Sequence, residues 1–185
     1  MSMPLQSTAL SRGSAAFSVD SLDLIFPSLR IIYRPTAAWT AVRDARPGWA
    51  ASLFIQVVPF ALLCAVAWPG VRTVVLLLAA VLILALALFL LAPWFEAARS
   101  WDRAMAVACY ASTPVLLSWF LLLFPPFAVL PVVALLHCFA LCYLGVQQLL
   151  ECRESEAAMF VAAAWVLSGI GGTLLGGLCS AAGLI

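Results

Sequence analysis

Polar and apolar residues are segregated into blocks along this chain rather than interleaved. Apolar runs cover about residues 49–68, 73–95, 104–124, 127–150 and 157–183, and short polar or proline-rich intervals divide them. A helix needs about 20 mainly apolar residues to cross ~30 Å of hydrocarbon, and all five runs meet that length. None alternates polar with apolar, and each is far longer than a barrel strand, so helices are the predicted element. Pro69 and Gly70 close the first run, Pro125 and Pro126 close the third, and the charged interval 151–156 precedes the fifth. The pattern predicts an all-α membrane protein whose domain 49–185 is a bundle of five transmembrane helices.

Upstream of that domain the chain divides in two. Residues 1–19 are rich in Ser, Ala and Gly without sustained period and read as a disordered tail. In 20–48, Leu22, Leu24, Ile25, Phe26, Leu29, Ile31 and Ile32 are interrupted by Pro27, and Pro35 suits a first helical position. Ala38, Trp39 and Val42 then recur at helical spacing among Arg34, Arg43 and Arg46. These pieces are too short to span. They read either as amphipathic helices lying in the membrane interface, arginines at the headgroups, or as a helix docked on the loops of the bundle.

Composition and charge sharpen this picture. The chain of 185 residues is 66% hydrophobic and 9% charged, with a mean hydropathy of +1.15. Its basic residues are nine arginines, its acidic residues number eight, and the net charge of +1 offers no broad basic face for nucleic acid. Arg12, Arg30, Arg34, Arg43 and Arg46 precede the first run, Arg99 and Arg103 lie between the second and third, and Arg153 lies between the fourth and fifth; only Arg72 falls on the other side. The positive-inside rule therefore sets the N-terminus in the cytoplasm and the C-terminus across the membrane. The first run is expected to double as the targeting signal.

Catalytic equipment is sparse. A single histidine excludes HExxH, the lack of lysine excludes a P-loop and a Schiff base, and no GxSxG elbow occurs. No catalytic, cofactor-binding or metal site is expected. All eight carboxylates lie outside the apolar runs, where no proton relay would use them, and five helices cannot form two equal inverted repeats. His137 and Cys138 point ~100° apart on a helix and do not readily share a metal with Cys142. Cys138, Cys142, Gly145, Leu149 and Cys152 instead make a mostly small stripe suited to helix packing. Cys64 and Cys179, both near the outer face, leave room for an occasional disulfide.

The fifth run carries Ala164, Ser168, Gly172, Gly176 and Ser180 at every fourth position, including a GxxxG motif. A neighbouring backbone, from this chain or a second copy, could approach such a face closely, and leucine at Gly172 or Gly176 would hold it off. Gln56, Tyr110, His137 and Gln148 form a candidate polar cluster inside the membrane. At ~1.5 Å per residue, Gln56 and Tyr110 stand ~10 Å above the cytoplasmic end of their helices and His137 ~20 Å. Their role is either interhelical hydrogen bonding or the lining of a ligand or ion path.

The stretches 101–125, 135–151 and 157–167 resemble the bacterial branch of the Yip1 domain family. The family's YSxTP-like element is similar to Tyr110, Ala111, Ser112, Thr113 and Pro114, its Y-x-G-x-x-x-L element to Tyr143, Gly145 and Leu149, and its proline–aromatic segment before the first helix to RPTAAW at 34–39. The resemblance implies an integral five-helix protein of the bacterial inner membrane, with a cytoplasmic N-terminus and a periplasmic C-terminus. Eukaryotic Yip1 proteins are associated with Rab GTPases, but the acidic Tyr-Gly-Pro element that they carry before the first helix is missing here, so GTPase binding does not transfer. The function expected is non-enzymatic, acting through protein or lipid contacts in membrane organisation, scaffolding or a trafficking-like role. Membrane lipid, a membrane-protein partner or a second copy are the expected partners. The alternative is a small channel or transporter component.

Overall fold

The computed structural model describes residues 30–32, 34–67, 71–121 and 129–181, and the described residues are helical without a strand. The expected tail, residues 20–29, and the Pro69–Gly70 and Pro125–Pro126 breaks lie outside them. Helix α1 is Pro35–Ala45. Helix α2, Trp49–Ala51, runs through a π-helical segment, Ser52–Val57, into α3, Val58–Ala67. Helix α4, Val71–Leu91, ends in a 3₁₀ turn, Ala92–Phe95; α5 is Trp101–Ala111, α6 Thr113–Leu121, α7 Leu130–Leu149 and α8 Glu154–Ala181.

Among the described residues, four helical stretches are long and apolar enough to cross a membrane: Val74–Phe95, Trp101–Leu121, Leu130–Leu149 and Glu154–Leu178; Trp49–Ala65 is a shorter apolar helix. Two starts differ from the hydropathy reading. The third helix begins at Trp101 and the fifth at Glu154, because Asp102, Glu154 and Glu156 sit in first helical turns, where the amide ends favour negative charge. Two apolar helices are also less regular than their apolarity predicts. Pro114 has no N–H to give the Tyr110 carbonyl, and the third span breaks at Ser112 into α5 and α6. Pro59 likewise cannot serve the Ile55 carbonyl, and the wide π turn lies directly before it.

The Trp101–Leu121 span is central: 72% of its apolar window is buried, against 22, 33 and 17% for the other three. Around the bundle α3 meets α4, α4 meets α8, α8 meets α7, α7 meets α6, and α6 returns to α3, while α5 touches α4, the π segment and α7. Helix α1 lies on α7. Its apolar residues Ala38, Trp39 and Val42 are buried against the protein, and Arg34, Thr36, Thr40 and Arg43 face outward. The side of α1 left for headgroups is thus its polar one.

Helix α8 turns only part of the small-residue stripe onto the described helices. Its buried seam is Ala157, Phe160, Val161 and Ala164, continued by half-covered Ser168, Gly171, Leu175 and Gly176. A Cβ on Gly171 would meet Ile83 Cγ2 of α4 at 3.0 Å, whereas a Cβ on Gly172 or Gly176 meets no described atom within 4 Å. The reason is rotational. Steps of four residues advance ~40° around a helix each time, while a neighbour crossing at a shallow angle follows steps averaging ~3.5. Gly171→Leu is therefore expected to lower the melting temperature in detergent, with Gly172→Leu and Gly176→Leu close to wild type. If the latter two lose as much as Gly171→Leu, the seam is misplaced.

Candidate functional site

Charge gathers at one end of the bundle, where α1 and α7 finish and α2, α5 and α8 begin. This end is built by helix termini satisfying one another. Asp102, in the first turn of α5, accepts the Trp49 backbone N–H at 2.9 Å and so caps α2 from another helix. Arg103, one residue on, donates to the Leu149 carbonyl at 2.9 Å and to Glu151 Oε1 at 2.6 Å, closing the open end of α7. The neighbouring loops are clamped by Ala98 N–H to Leu150 O at 2.7 Å and by an Arg153–Glu96 ion pair at 2.7 Å. Arg99 stacks over Phe89 at 4.9 Å.

Three described residues other than glycine hold positive φ, Arg46, Glu96 and Glu151, and all three stand at this end. Glycine normally takes such left-handed positions after a helix, and a side chain there costs ~1–2 kcal/mol. Arg46 and Glu151 face a cleft of about 640 Å³ between the end of α1, the start of α5 and the end of α7, which Arg43, Asp44, Asp102 and Arg103 also line.

Beneath the cleft, Trp39 enters the bundle. It is fully buried, meets Tyr110 edge-on at a centroid distance of 6.3 Å, and covers Gly145 so closely that a Cβ there would stand 2.8 Å from Trp39 Cζ2. Three segments distant in sequence, RPTAAW, the Tyr110 element and the Tyr143–Gly145 element, thus converge on one contact. The family model of the Yip1 domain matches residues 29–176. The chain belongs to the Yip1 domain family. With its four apolar helices of membrane-spanning length, this Yip1-domain protein is an integral membrane protein. Comparison with curated proteins and with solved structures finds no match.

The other residues singled out by pattern are distributed as follows. Cys138, Cys142, Gly145 and Leu149 lie on the buried side of α7, and Tyr143 is half-covered. Ala164 is buried and accepts the Ser168 hydroxyl at 2.6 Å within α8, while Ser180 is exposed. Cys64 is a free buried thiol directed at the Leu116 carbonyl at 3.2 Å. Gln56, fully buried on the π segment, donates to Thr113 Oγ1 at 2.6 Å, next to Pro114 at the break of the third span. The members of the candidate polar cluster have these contacts. Gln56 joins Thr113, Tyr110 joins Trp39, and His137 and Gln148 stay partly exposed on α7, His137 Nε2 and Gln148 Oε1 lacking a partner among the described residues. Pattern reading missed the capping role of Asp102 and Arg103, although an acidic–basic pair opening an apolar run is a visible signal for it.

Burial, and secondarily the Glu156 carboxylate, push the Cys152 thiol above its ordinary pKa, outweighing the lowering by a backbone hydrogen bond at Arg153. Since the thiolate is the nucleophile, alkylation of Cys152 in the folded protein is expected to be slow at neutral pH and to rise only above the ordinary thiol range. Labelling at neutral pH as fast as that of a free thiol would contradict this.

Proposed function

We propose that this Yip1-domain protein is a non-enzymatic component of the bacterial inner membrane, with its N-terminus in the cytoplasm and its C-terminus in the periplasm. It acts through protein or lipid contacts at its charged end, in membrane organisation, scaffolding or a trafficking-like role. One observation carries the reading: a charged cleft opens at the end of the bundle, while Gln56 at membrane depth is closed onto Thr113. A pore would instead line a wet path with such groups.

A photoreactive amino acid in place of Arg43, at the cleft, is expected to yield a discrete protein or lipid adduct in native membranes that the same probe in place of Leu178 does not. Vesicles reconstituted with the protein are expected to release trapped ions no faster than empty vesicles. Ion release that Gln56→Leu abolishes would establish the pore instead. Alkaline phosphatase fused after Ile185 is expected to be active, and inactive when inserted in the 151–156 loop.

A further inference from the structure

We propose that the cleft binds the headgroup of a zwitterionic phospholipid carrying a phosphate and a primary ammonium, as in phosphatidylethanolamine. This rests on the contact role above and names the partner of that same cleft. Its volume of about 640 Å³ falls in the range of small-molecule sites. The charged lining is Arg43, Arg46 and Arg103 with Asp44, Asp102 and Glu151. Those formal charges sum to zero, so the cleft has no excess field for a purely anionic headgroup; a ligand bearing one charge of each sign matches both halves of the lining.

The charges are not equally engaged. Arg103 is held by Leu149 O and Glu151, and Arg43 has a loose contact with its neighbour Asp44 at 3.6 Å. Arg46 makes no ion pair among the described residues, and its planar guanidinium suits a phosphate. Asp102 commits Oδ1 to Trp49 and Glu151 commits Oε1 to Arg103, which leaves the second oxygen of each carboxylate to accept an ammonium N–H. A primary ammonium offers such donors, whereas a quaternary choline does not. Arg46 and Glu151 hold φ of 44° and 57°, where glycine would fit without strain, so each places a charged side chain at the cleft at a conformational cost; Glu96 bears the same cost for its ion pair with Arg153. Finally, two apolar helices of spanning length meet at the cleft, the start of Trp101–Leu121 and the end of Leu130–Leu149, and the ends of such helices are where headgroups are expected.

Native mass spectrometry of the full chain in detergent, with phosphatidylethanolamine, phosphatidylcholine and phosphatidylglycerol of matched acyl chains and with soluble phosphoethanolamine, tests the proposal. Phosphatidylethanolamine is expected to be retained at least tenfold better than each of the others. Arg46→Gly relieves the left-handed backbone, so it is expected to melt no lower than wild type while its phosphatidylethanolamine retention falls to the phosphatidylcholine level. Preference for phosphatidylglycerol, equal retention of the three lipids, retention of soluble phosphoethanolamine as tight as that of the lipid, or a folded Arg46→Gly that keeps full retention would each overturn it. A protein adduct at position 43 together with no lipid preference would reject this inference and leave the contact role standing. Absence of any adduct together with ion release would reject both.

Discussion

Trp39→Ala is expected to destabilise the protein by about 3–5 kcal/mol, the range for deleting a large aromatic side chain from a packed site. Trp39 is fully buried, it is the principal insertion of α1 into the bundle, and its ring meets both Tyr110 and the bare backbone of Gly145. Gly145→Ala is expected to destabilise by about 1–3 kcal/mol, the usual range for overpacking, because its new methyl would stand 2.8 Å from a rigid indole. The informative variant combines the two. With Trp39 already alanine, the Gly145→Ala methyl has room, and its cost should vanish. Thermal unfolding in detergent of the two single variants and the double variant measures the coupling. Simple additivity would show that Trp39 and Gly145 do not bear on each other.

The second large effect concerns Gln56 and Thr113. Gln56→Leu leaves the Thr113 hydroxyl without this donor, and Thr113→Val leaves the Gln56 amide without this acceptor, in a region that excludes water. Each is expected to cost about 1–2 kcal/mol, at the upper end of hydrogen-bond contributions measured inside membranes. Removing both polar groups is expected to cost no more than the worse single change, since two apolar side chains leave neither group of this pair unsatisfied. A double variant that loses the sum of both would mean that each residue has its main partner elsewhere.

Some of this site was legible before folding. Motifs around Tyr110, Tyr143 and Gly145 carried the family, and the small residues of α7 at steps of three and four marked a face that is buried. The partners on those faces were less legible. Ala38, Trp39 and Val42 announced an amphipathic helix, yet the same periodicity serves a helix on lipid and a helix on protein, because both surfaces are apolar. Gln56 and Tyr110 stand at similar heights, but height does not set helix rotation, and rotation pairs Gln56 with Thr113 and Tyr110 with Trp39.

Properties that depend on short-range periodicity and on transfer between water and hydrocarbon are written in the order of residues: helical elements, apolar runs of spanning length, charge confined to the connections between those runs, and the family. Tertiary structure alone decided which side chains meet. Trp39 reaches Gly145, Arg103 closes α7 onto Glu151, and Gly171 rather than Gly172 faces Ile83. Each of these contacts joins segments far apart along the chain, and each changes partner when a helix turns by the ~100° that separates adjacent residues, a rotation to which hydropathy is nearly blind in a helix apolar all round.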